Sequence, residues 1–110
     1  MQARAEIDAG DCGFHADVDT SSEDGMFVTF EVESDCEKIR SFAKTLVSKG
    51  PINAYEEVKS SNDSVVMATV RDCLQGCCTG CAVPTGLFKS MQVSAGLALP
   101  KDITIQITKK

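Results

Sequence analysis

Three stretches of polar/apolar alternation near the N-terminus give way, between Val32 and Ile39, to apolar residues at helical spacing, and this change of period constrains the fold most tightly. Residues 3–9 set Ala3 and Ile7 against Arg4, Glu6 and Asp8. Residues 14–18 set Phe14, Ala16 and Val18 against His15 and Asp17, and a third run carries Met26, Val28, Phe30 and Val32. A period of two belongs to a strand with one dry face and one wet face. Asp11-Cys12-Gly13 and the run from Ser21 to Gly25 supply the turns. Three consecutive strands on short connections predict an antiparallel meander.

Ser34-Asp35 offers N-cap chemistry ahead of Cys36-Glu37, and Ile39, Phe42, Ala43, Leu46 and Val47 recur at helical spacing until Gly50-Pro51. Residues 52–58 read as a short helix and 60–64 as an exposed loop. Val65 to Leu74 reads as a helix through Met67, Val70, Arg71 and Leu74. Pro84 suits a first helical position and precedes Leu87, Phe88, Met91, Val93 and Leu97. Ile103, Ile105 and Ile107 then alternate with Thr104, Gln106 and Thr108, predicting a terminal strand that returns to the sheet. The expected fold class is α+β in the order βββ-ααα-β, a four-stranded, mainly antiparallel sheet with helices packed on one face. Phe30, Val32, Phe42, Leu46, Phe88, Ile103 and Ile105 are the expected shared core.

A chain of 110 residues forms one domain, 1–110, and buries a sufficient core without cross-links. Its six cysteines therefore need another explanation. They fall short of the roughly 8–10% that marks a disulfide scaffold, and Met1-Gln2-Ala3-Arg4 does not open an apolar signal core. A reducing cytoplasm is the expected location. No run approaches the roughly 20 apolar residues that cross a bilayer, so no membrane partner is expected. Sixteen acidic residues against eleven basic ones, with no polybasic stretch, argue against nucleic acid; a protein partner stays open.

Cys73, Cys77, Cys78 and Cys81 fall within nine positions. Cys78-Thr79-Gly80-Cys81 is a CxxC turn, able to aim two sulfurs at one ion, and Gly80 eases that turn. Cys12 sits in the first turn beside Gly13. Cys36 opens a helix, where the macrodipole and unpaired N–H groups favour a thiolate, and Cys81 lies just before another helix start. The expectation is a metal site of Cys12, Cys36, Cys78 and Cys81 at one end of the molecule, holding zinc or an iron–sulfur cluster; tetrahedral thiolates accept either metal. Cys73 and Cys77, four residues apart, fit a helix face and read first as small apolar side chains.

The remaining chemistry is sparse. His15 is the lone histidine, on the wet strand face, and serves only as a reserve ligand beside Cys12. Glu23-Asp24 and Glu56-Glu57 read as solvated surface, and Lys89 as an exposed helix lysine. Neither a catalytic serine motif nor a phosphate-binding glycine loop is present.

Cys12-Gly13-Phe14, Ser34-Asp35-Cys36, Cys78-x-x-Cys81-x-Val83-Pro84 and Gly96-Leu97-Ala98-Leu99-Pro100 together resemble a family of small uncharacterised cysteine-containing proteins of anaerobic microbes. The resemblance spans nearly the whole chain and implies a compact domain without naming an activity. Cys12-Gly13, Cys36 and Cys81 are also similar in order and separation to the U-type iron–sulfur scaffold proteins, with Phe14 where those proteins carry an acidic residue. That similarity implies a cluster-holding role for the three cysteines. The leading expectation is metal or cluster handling, more a binding role than an enzyme. Thiol redox or sulfur transfer through Cys36 or Cys81, and an interaction module with structural thiols, are the alternatives.

Overall fold

The computed structural model describes residues 1–59 and 64–110. Strands β1 (Gln2–Asp8), β2 (His15–Ser21) and β3 (Phe27–Ser34) form the expected meander, each antiparallel to the next. Helix α1 (Glu37–Ser48) follows, then strand β4 (Ile52–Asn53) and the helices α2 (Ala54–Lys59), α3 (Val65–Cys73) and α4 (Val83–Ser94), with a 3-10 turn at Gly76–Gly80. The sheet order is β1-β2-β3-β4. An α+β domain with a four-stranded antiparallel sheet is thus the observed architecture.

Register explains why one face is dry. Ile7 lies opposite Ala16, which faces Ser34; Ala5 opposite Val18, which faces Val32; Ala3 opposite Thr20, which faces Phe30; and Val28 opposite Ile52. Each row carries inward residues across the sheet, and the helices cover them. Helix α1 packs on β3 through Ile39, Phe42, Ala43 and Leu46, while α4 packs on β1 and β2 through Val83, Leu87 and Met91. Helix α3 leans on α1 and α4. Thr20 is the polar member of an inward row, and its hydroxyl donates to the Ser90 carbonyl of α4 at 3.0 Å. A buried hydroxyl keeps its partner that way.

Gly86 lets α4 approach β1 closely. A Cβ there would fall 2.8 Å from Ile7 Cγ1 and run into Ile7 Cδ1, so a side chain would push helix and strand apart. The opposite, wet face carries a charge ladder in which Arg4 bridges Asp19 at 2.8 Å and Asp17 at 3.4 Å.

Several expectations at element level are corrected. The fourth strand is Ile52–Asn53, where a short helix was expected; Phe27 and Val28 of β3 supply its partners, and the helix begins only at Ala54. Residues 101–110 form no strand, and Ile103, Ile105 and Ile107 are 52%, 68% and 91% exposed, outside the core they were expected to join. Alternation gives a segment strand propensity, but a strand exists only where another edge takes its hydrogen bonds, and this segment has left its own sheet. Val32 and Phe88 are half-buried, whereas Phe30, Phe42 and Leu46 are core. The expected loop over 60–64 falls, apart from Ser64, outside the described residues.

Candidate functional site

The strand register brings chain segments bearing cysteine to one end of the sheet. Asp8 ends β1 opposite His15, which begins β2, so residues 9–14 turn over at that end. Gly10 and Gly13 carry φ of +88° and +75°, and the Gly13 N–H donates to the Gly10 carbonyl at 2.9 Å, closing a tight turn around Asp11 and Cys12. Cys12 is exposed there. Ser34 ends β3 beside Ala16, and its hydroxyl donates to the His15 carbonyl at 2.7 Å. Two residues on, Cys36 is the N-cap of α1, half-buried, and its N–H donates to Ser34 Oγ at 3.1 Å. The Cys36 side chain makes no capping hydrogen bond. Asp35, expected to help cap the helix, instead accepts the His15 N–H at 3.1 Å and ties β2 to the start of α1.

Helix α4 approaches the same end with its first turn, since Gly86 lies against Ile7 while Ser90 reaches Thr20, the partner of Ala3. Cys81 precedes Val83 by two residues. It is the C-cap of the 3-10 turn, and its N–H donates to the Cys78 carbonyl at 3.1 Å. Cys78 and Cys81 are half-buried and pack at the margin of the core with Cys36 and Cys73. Cys73 is the last residue of α3, where Leu74 (φ −112°, ψ 97°) breaks the helix, so Cys73 and Cys77 do not share one helix. Among the described residues, no three His, Cys, Asp or Glu side chains are grouped so as to hold a metal ion.

The most organised polar cluster at this end is one the sequence did not announce. His15 Nδ1 lies 2.7 Å from Asp8 Oδ1 and Nε2 lies 2.9 Å from Asp17 Oδ1. Ionised carboxylates only accept, so both ring nitrogens donate when the imidazole is protonated. The hydrogen bond that His15 donates to Asp8, and then the one it donates to Asp17, raise the His15 pKa above its usual value. The signal lay in register: Asp17 shares the wet face two residues along, and Asp8 is the cross-strand partner. Both nitrogens of the reserve ligand are therefore engaged by carboxylates.

Glu57 also escaped the sequence. It is buried, accepting from Ser64 Oγ at 2.9 Å and from the Val65 and Val66 N–H groups at 2.7 and 2.8 Å. With Ser64 Oγ accepting the Met67 N–H at 3.0 Å, Glu57 completes the cap of α3, a structural task for a carboxylate expected in solvent. Away from the cysteine end, a surface depression of about 480 Å³ lies across Gln2, Asp19, Ser21, Thr29 and Glu31. No helix among the described residues is long and apolar enough to cross a membrane.

Comparison with curated proteins gives no match, and none is found among solved structures. A family of unknown function is matched over residues 3–107, nearly the whole chain. The chain therefore belongs to the DUF6951 family.

Proposed function

We propose that this domain handles a soft metal, as zinc or an iron–sulfur cluster, through Cys12, Cys36, Cys78 and Cys81, gathering these ligands on binding. The observation that carries the reading is the convergence of separate thiol-bearing segments at one end of the sheet: the β1–β2 turn, the start of α1 and the turn before α4. Thiolates are the protein ligands that select such metals, and helix N-termini favour negative sulfur. Cys12 lies on an exposed turn, and a short 3-10 turn carries Cys78 and Cys81, so the ligands sit on small segments that can adjust without moving the sheet. The order Cys12-Gly13, Cys36, Cys81 is also that of the U-type iron–sulfur scaffold proteins. A reducing cytoplasm keeps such thiols available, and a net charge of −5 suits a protein client better than nucleic acid.

Protein prepared without oxygen is expected to carry metal, with visible absorption for an iron–sulfur cluster and none for zinc. Cys36→Ser or Cys81→Ser should lose more of it than Cys73→Ser. Metal-free protein whose cysteines all alkylate at one rate would sink the proposal. The CxxC turn itself favours a second reading, a dithiol redox centre, because the Cys81 N–H on the Cys78 carbonyl holds the two residues in one turn. A redox titration yielding a reversible Cys78–Cys81 disulfide in metal-free protein would select it.

A further inference from the structure

The C-terminal segment and the outer edge of β1 are complementary and unjoined within one chain. We propose that residues 103–108 pair with the β1 edge of a second copy, so that two chains exchange their C-terminal strands and form a dimer. Such a dimer does not depend on the cysteine chemistry.

One half of the interface is the edge. Strand β1 closes the sheet on its outer side and runs for seven residues without proline, so its outward N–H and C=O groups form a template for another strand. Its helix-facing residues, Ala3, Ala5 and Ile7, are only half-buried, although α4 lies over them. Phe88 and Leu97 are likewise half-buried at the core margin. These side chains keep part of their apolar surface in solvent at the sheet edge. One more strand with large inward side chains would cover it. On the other side of the sheet, β4 occupies only Phe27 and Val28 of β3, so among the described residues β1 offers the longest unpaired run, seven residues against the six of β3 beyond β4.

The other half is the tail. Ile103, Ile105 and Ile107 point one way in an extended chain and Thr104, Gln106 and Thr108 the other, which suits a strand with isoleucine under the helices and polar groups on the wet face. The family match runs through residue 107, so these isoleucines belong to the matched domain. Charge favours the pairing as well. Lys101, Lys109 and Lys110 against Asp102 give the last ten residues a net +2, which leaves −7 on the first hundred, Glu6 and Asp8 of β1 included.

A second copy is the occupant because the tail is held off its own body. Residues 99–110 are all exposed, the Lys101 N–H turns back on the Leu99 carbonyl at 2.9 Å around Pro100, and the molecule measures 44 × 27 × 26 Å. Reciprocal exchange covers one edge and one tail on each partner, which brings a short strand toward the roughly 800 Å² per partner of a stable interface.

Light scattering on the full chain, with hydrogen exchange read at 103–107 and at 2–8, tests the proposal. The expected result is a dimer in which both segments are protected and lose protection together on dilution. Ile105→Asp, at an exposed position that leaves the fold unchanged by circular dichroism, should weaken the dimer by at least about tenfold. In a mixture of labelled and unlabelled chains, contacts between 103–107 and β1 should appear between molecules. A monomer with an unprotected tail overturns the proposal, as does a monomer whose tail is protected at every concentration, which would mean docking on its own edge. A dimer indifferent to Ile105→Asp overturns it too.

Discussion

At the scale of single residues, the histidine between two carboxylates makes the clearest prediction. Its pKa is raised in the folded protein, chiefly by Asp8 and next by Asp17, so the protonated clamp contributes stability that is fully present below the unfolded value of about 6.5. That contribution is lost as pH rises through the raised folded value. Thermal midpoints measured across this window should fall with pH for the native chain and fall less for His15→Gln. Parallel curves would mean that the clamp does nothing for the fold. Asp24 has the opposite sign: the Met26 and Phe27 N–H groups lower its pKa, and its contribution disappears in acid instead.

Among the elements, two contacts decide how the helical layer is built. Glu57→Ala leaves the first amides of α3 and the Ser64 hydroxyl without their acceptor in a buried place, which should cost about 2 kcal/mol in denaturant unfolding. Glu57→Gln, which keeps one acceptor oxygen, should lose less. Gly86→Val should cost about 1–3 kcal/mol by forcing α4 away from Ile7, and Ile7→Ala in the same chain should recover part of it. Independent effects of the two changes would show that the helix and strand do not meet there. The meander, α1, α3 and α4 were legible because their periodicity reports the face each buries. Glu57 was not, since nothing local distinguishes a buried capping carboxylate from its solvated neighbour Glu56. The terminal strand was misplaced for a related reason: the isoleucine alternation states what the segment can pair with, and pairing depends on where Pro100 sends the chain. The cysteine positions followed from turns and helix starts, whereas the His15 clamp needed the β1–β2 register, which no single strand contains.

For the whole molecule, the order in which surfaces are covered differs from the order in which they are made. Strand β3 meets α1 immediately afterwards, but Ala3, Ala5 and Ile7 of β1 have no cover until α4, whose residues come about eighty positions later. A growing polypeptide must therefore carry an uncovered strand through most of its synthesis, because domains complete their cores only when the last packing element has emerged. Nascent chains ending before residue 83 should remain open to protease, and chains ending after Leu97 should become resistant. Resistance gained already at the end of α1 would mean that the meander needs no lid. Of the four strands, β1 is made first and waits longest for its cover, and during that interval the domain is most exposed to capture by a chaperone or by a neighbouring chain.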